Sequence, residues 1–258
     1  MKRILLHKYL ILILLFITGT ASVWGQTEIT FDISKGNVTF TDATYKGVKI
    51  NESQVTTGTH NANNKYIITG TTTSYYIRVG NTGALVTEDF LIYLNNVDIR
   101  NNNQCAFAVF NKGNSKVAVI LQNNSDNILY SGKNRAGLEK GGGAEADGTL
   151  IISCEAGYEE WKINPTHGHT TGTDNHSNCT AACGHLDARS GNTWNRSSGG
   201  TYNIGAQTYY AGAGIGTAGQ GSGGFNVKNQ AAGTNALVNL TIAGGNIEAR
   251  GAWGYSSG

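Results

Sequence analysis

Apolar residues two apart, then a polar turn, then another apolar residue: this outline recurs along the chain. In LIYLNNVDIR, Ile92 and Leu94 stand two apart and Ile99 follows five positions on. In LVNLTIAGGNIEARG, Leu240 and Ile242 are followed five positions later by Ile247. Alternation of this kind marks strands with one buried face, and few segments carry the 3.6-residue spacing of an amphipathic helix. Two further segments fit: VAVILQNNSDNILYSG, whose turn is two residues longer, and TLIIS, which resumes after an insertion at GHLDARSG. The post-turn column reads Ile99, Leu129, Leu186 and Ile247. The first interval is 30 residues; the second is 57, or 29 once the 28 residues 155–182 are set aside. The last, 61, contains AGAGIGTAGQGSGG, where loop insertions fit naturally.

A period near 30 with short strands predicts a solenoid, in which strands of each coil pair with those of the next and inward residues form ladders. The expected architecture is all-β: a right-handed parallel β-helix over residues 26–258 as one domain, with a loop insertion at 155–182. A β-sandwich or barrel is the competing arrangement. The many Gly and Asn residues are expected at corners, where positive φ suits them. The final GAWGYSSG reads as the start of another coil, so a truncated chain or a short last coil is expected, because an uncapped coil leaves strand edges unpaired.

The chain has 36 Gly and one Pro, a composition that would suit disorder if the β-branched runs KYIITG, KVAVILQ and LVNLTI did not argue for a fold. Residues 1–25 read as a secretory signal peptide: Lys2, Arg3 and Lys8, then the apolar YLILILLFITG, then Val23 and Gly25 ahead of a cut before Gln26. Its loss takes the formal charge from +2 to −1. A near-neutral chain has no electrostatic basis for general nucleic-acid binding, and no second apolar run has spanning length, so no membrane insertion is expected. The expected location is secreted or cell-surface.

KYIITGTTTSYYIRV, LIYLNNVDI, QCAFAVFN, NRAGLEKGGG, AGAGIG and LTIAGGNIEARG occur in the order found in bacterial carbohydrate-binding β-helix domains, and the chain resembles that family from about Lys65 onward. The family includes calcium-dependent binders of polygalacturonate. The resemblance implies a non-catalytic carbohydrate-binding function with a polysaccharide partner such as pectin. The insertion and the abrupt end depart from the family pattern.

Cys154 and Cys183 flank the insertion, and in an exported protein such a pair suggests a disulfide closing its neck. The chain-entropy gain for such a loop is on the order of 3–4 kcal/mol. Cys179 competes for the pairing and Cys105 takes whichever partner is left, so three connectivities stay open. His167, His169, His176, Cys179, Cys183 and His185 also form a zinc-like set, but their spacing matches no familiar zinc module and oxidation would remove the thiolates, so zinc is disfavoured. His60 reads as a surface residue.

The position after each ladder residue points outward: Arg100, Tyr130, Asp187 and Glu248. If Asp187 and Glu248 stack on adjacent coils, their carboxylates repel unless a cation lies between them, which makes calcium the candidate cofactor. For a sugar surface the candidates are Tyr158 and Trp161 in the insertion and Trp194, Tyr202, Tyr209 and Tyr210 in later loops, since sugar C–H faces pack on aromatic rings. GIGTAG matches a dinucleotide fingerprint only formally, with no helix pattern after it. Glu139, Glu145, Asp147, Glu159 and Glu160, in loops or the insertion, read as surface charge, with calcium ligation a second reading. Two rivals to the binding module stay open: a structural or adhesive protein with cell-surface protein partners, and a polysaccharide lyase or hydrolase.

Overall fold

Tyr66 pairs with Ile92, Ile92 with Val119, Val119 with Ile152 and Ile152 with Ile242, always between parallel strands. Each pass of the chain thus lies beside the one before it. This is a computed structural model, and it describes residues 26–133, 135–141, 146–165, 183–191, 213–216 and 239–251. Among the described residues there are sixteen strands and one helix.

The strands fall into three rows. Row one holds β1 (Glu28–Asp32), β5 (Lys65–Thr72), the first half of β7 (Phe90–Arg100), β9 (Lys116–Leu121), β12 (Thr149–Cys154) and β15 (Leu240–Ile242). Row two continues from the second half of β7 through β10 (Asp126–Lys133), β13 (His185–Gly191) and β16 (Asn246–Arg250). Row three holds β2 (Val38–Phe40), β6 (Ile77–Val79), β8 (Phe107–Val109), β11 (Leu138–Lys140) and β14 (Ile215–Gly216). The fold is therefore mostly β and built from parallel sheets, as the period anticipates.

Side-chain alternation sends one set of residues from all three rows into a common core. Row one supplies Phe31, Ile68, Leu94 and Leu121, row two Ile99, Leu129 and Leu186, and row three Val38, Ile77, Phe107 and Leu138, each within 0% exposure. Burying a side chain of this kind contributes about 1.5–3 kcal/mol. The corners between rows one and two use left-handed residues in four passes: Gly70 (φ 102°), Asn96 (54°), Asn124 (59°) and Gly245 (102°). Asn101 organises a corner between rows two and three, its amide donating to Ser74 O at 3.1 Å while its oxygen accepts from the Asn103 and Gln104 N–H groups.

The ladder register differs from the expected one by two residues at one step. Leu129 pairs with Ala188, not with Leu186, and Ala188 in turn with Ala249; Leu186 pairs with Asn127 and with Ile247. The reason is Asn127, a polar residue at an interior position. Its oxygen accepts from Val97 N at 3.0 Å and its amide donates to Ser125 Oγ and His185 O, so it is satisfied where an apolar residue would be sought. A slip of two residues keeps every side chain on its face.

Three other expectations are corrected. The chain between β2 and β5 forms an antiparallel hairpin, β3 (Thr44–Val48) with β4 (Val55–Thr59), added to row three beside β2. Tyr45 of this hairpin packs on Phe31 and Tyr66. His60 is not a surface residue but is 8% exposed, stacked on Phe90 at 4.0 Å with Nδ1 2.7 Å from the Tyr66 hydroxyl. Nor is the insertion a loop throughout: Glu155–Ile163 is a helix, α1. Its residues Tyr158 and Trp161 pack on Tyr93, Ala118, Ile120 and Ile151, the outward side of row one.

Candidate functional site

The outward side of row two carries three parallel columns. Parallel register places Asp126 beside His185 and His185 beside Asn246. Asp98 pairs with Ile128, Ile128 with Asp187, and Asp187 with Glu248. Arg100 pairs with Tyr130, Tyr130 with Arg189, and Arg189 with Arg250. The expected stacking of Asp187 on Glu248 is present, while Arg100 and Tyr130 belong to the neighbouring column because of the same two-residue slip.

In a strand, residues i and i+2 share a face, so each acid meets the arginine two positions later. Arg100 Nε donates to Asp98 Oδ1 at 2.8 Å. Arg189 Nε donates to Asp187 Oδ1 at 2.7 Å, and its Nη2 to Oδ2. Arg250 donates to Glu248 Oε1 through Nε at 2.6 Å and also through Nη2. The β10 strand breaks this pattern with Ile128 and Tyr130. The Arg100 and Arg189 guanidinium carbons lie 5.2 and 4.7 Å from the Tyr130 ring centroid, and cation–π attraction favours both. The Tyr130 hydroxyl donates to Asp187 Oδ2 at 3.2 Å. His185 Nδ1 lies 2.7 Å from Asp126 Oδ1.

Partial burial raises the Asp187 carboxyl, but hydrogen bonds and charge from Arg189, with the Tyr130 hydroxyl, outweigh it and hold the pKa below the usual value. Tyr130 is pushed up by burial and by the Asp187 charge. The Asp98 hydrogen bond raises Arg100, and the Asp187 bond raises Arg189. The ladder thus sets a carboxylate column beside a guanidinium column, interrupted at β10 by Ile128 and Tyr130. Asp187 and Glu248 each already face an arginine counter-charge, a poor arrangement for a calcium ion that needs six to eight oxygens. Among the described residues, no group of three His, Cys, Asp or Glu is placed to hold a metal ion.

Of the expected sugar-binding aromatics, Tyr158 and Trp161 stack on each other at 5.9 Å and are partly covered by the sheet beneath α1. Trp194, Tyr202, Tyr209 and Tyr210 lie outside the described residues, as do His167, His169, His176, Cys179 and Glu145. Cys183 Sγ lies 2.7 Å from Cys154 Sγ, a thiol–thiol contact that brings the two flanking cysteines together. Cys105 is a buried thiol that donates to Phe107 O at 3.0 Å and Ala136 O at 3.2 Å, and burial pushes it up to about 12.

Glu139, expected as surface charge, is 3% exposed on the outward side of row three and accepts from Arg135 Nη2 at 2.7 Å. Burial pushes its carboxyl up to about 7, against the Arg135 charge. The packing of Tyr130 between Arg100 and Arg189, with its hydroxyl on Asp187, is what the sequence reading misses. The signal was there: Asp98-Ile99-Arg100, Asp187-Ala188-Arg189 and Glu248-Ala249-Arg250 repeat an acid-x-Arg triplet.

No helix among the described residues is long and apolar enough to cross a membrane. Comparison of the chain with protein-family models, curated proteins and solved structures finds no match.

Proposed function

We propose that the chain is a right-handed parallel β-helix, exported by its N-terminal signal peptide, that binds a polysaccharide without catalysis at a cell surface or in the surrounding medium. The row-two ladder is the binding face. The observation that carries this reading is the stack Arg100, Tyr130, Arg189, Arg250, which repeats hydrogen-bonding groups once per pass, about 4.8 Å apart. A polymer with repeating hydroxyl and carboxylate groups suits such a row, and guanidinium forks match carboxylates. The Arg100–Asp98 and Arg250–Glu248 pairs are partly exposed, so each contributes only about 0–1 kcal/mol to stability, while the Asp187 carboxylate is nearly buried against Arg189. Recognition is the more rewarding use of so regular an array.

Binding without catalysis accords with the state of Asp187. A general acid at neutral pH needs a raised carboxyl pKa, and Asp187 is held low. The arginine pairs also favour direct hydrogen bonding over a calcium bridge. The test is a glycan array including polygalacturonate, run with calcium and with chelator, with reducing-sugar and unsaturated-product release followed on the same ligands. Retention without product supports the reading; product release makes the protein an enzyme, and absence of retention on every glycan favours an adhesive protein with protein partners.

A further inference from the structure

In four passes a single left-handed residue turns the chain from row one to row two, at Gly70, Asn96, Asn124 and Gly245. The pass between β12 and β13 does otherwise. The chain leaves the sheet after Cys154, enters α1 at once, and returns at Cys183, 29 residues later. Both ends are nonetheless held at the corner position. Cys154 pairs with Leu121, in the column of Ile68 and Leu94. On the returning side, His185 N donates to Ser125 O at 2.8 Å, and Asn246 N donates to Gly184 O at 3.1 Å. Gly184 is so close beneath the preceding corner that a Cβ there would lie 2.3 Å from Gln122 O. The two sulfurs meet between these fixed ends, 2.7 Å apart.

We infer that Cys154 and Cys183 are joined by a disulfide that replaces the backbone corner of this pass and straps α1 over the apolar outward side of row one. The strap has something to cover: Leu91, Tyr93, Ala118, Ile120 and Ile151 lie beneath Tyr158 and Trp161. Its fit is close, since a Cβ on Gly157 would lie 2.4 Å from Ala243 O. Formation of the bond takes a hydrogen from each thiol. An oxidising disulfide, R–S–S–R, accepts both electrons and both protons and leaves as two RSH. Reduction reverses this and frees the start of α1 from the far side of the corner, so the redox state governs how firmly the apolar side is covered. The inference is independent of the ligand-binding reading.

Trypsin reads the strap directly, because Lys162, within α1, is the only Lys or Arg between Cys154 and Cys183. The experiment uses the full mature protein, purified oxidised, with non-reducing peptide mass spectrometry alongside. The expected result is a Cys154–Cys183 crosslink, slow cleavage after Lys162, and cleavage at least about tenfold faster on reduction as the helix opens locally. Thermal unfolding should fall by about 6–15 °C on reduction, from the entropy the crosslink removes. Cys154→Ser should match the reduced protein and ignore reductant; if that variant does not fold, reduction of the unaltered protein gives the same reading, with buried Cys105 as an internal thiol control. Two free thiols at these positions, a Cys154–Cys179 crosslink, or a Lys162 cleavage rate indifferent to reductant would overturn the inference.

Discussion

The Tyr130 hydroxyl donates to Asp187 Oδ2 at 3.2 Å, although Tyr130 is paired in register with Arg189. The contact runs diagonally across one pass and links the arginine column to the carboxylate column. It makes Tyr130 the point where the two arginines on its ring and the acid of the next strand depend on one side chain. Replacing it by Phe keeps the ring between the guanidiniums and removes only the hydroxyl bond. Tyr130→Phe is expected to change stability by less than about 1.5 kcal/mol and to weaken glycan retention several-fold, measured by thermal unfolding and array retention side by side.

His60 predicts an acid-sensitive N-terminal end. Burial against Phe90 and Tyr66 lowers its pKa below 6.5, while the Asp89 backbone and the charges of Glu88 and Asp42 oppose the shift. The unfolded chain therefore binds this proton more readily than the fold does. The stability it contributes is complete above pH 6.5 and is lost as pH falls through the lower folded value. His60→Phe should flatten this part of the profile, seen as a smaller drop in urea midpoint between pH 7 and pH 5.

Lys140 predicts the opposite use of a substitution. It extends the interior column of Val79 and Val109, is 0% exposed, and donates to Ala146 O at 2.7 Å. Burial pushes its amine down from 10.5 to about 8, with the Asp147 charge opposing. The stability tied to it is present above pH 10.5 and lost as pH falls through 8, so at pH 7 the fold carries a buried charge. Lys140→Met is expected to raise stability by about 1–2 kcal/mol at pH 7. The gain should shrink toward pH 10, which denaturant titration at both values checks.

Gly157 predicts the behaviour of the helix–sheet contact. A methyl group there would meet Ala243 O at 2.4 Å and Ser153 Oγ at 2.7 Å. Gly157→Ala should force α1 away from the sheet despite its better helix propensity, at a cost of about 1–3 kcal/mol. Faster tryptic cleavage after Lys162 in this variant is the check.

Much of this fold was legible in the alternation of apolar residues and the recurring interval, because a buried face imposes a period of two and stacked passes impose a longer one. What failed did so for physical reasons. Asn127 hides an interior position behind a polar side chain whose hydrogen bonds are all supplied by neighbours, and it displaced the register by two. His60, Glu139 and Lys140 are ionisable residues that the fold buries, and the alternation of apolar positions does not announce them. The helix at Glu155–Ile163 lay inside a segment read as an insertion, where its Tyr158 and Trp161 suggested exposed sugar platforms rather than packing against Tyr93 and Ile120. Asp187 beside Glu248 was anticipated; their arginine partners were not, though the acid-x-Arg triplets stood in plain sequence.

The central claim is that the row-two ladder binds a polysaccharide without cleaving it. Retention on immobilised polygalacturonate and related glycans, compared between the unaltered protein and Arg189→Ala, tests it most directly. The account predicts retention with no product release, little effect of chelator, and a loss of about tenfold or more in the variant, as truncating a charge-assisted contact implies, while thermal unfolding shifts by only a few degrees. Retention equal in both proteins, or product accumulating on the retained glycan, would contradict it.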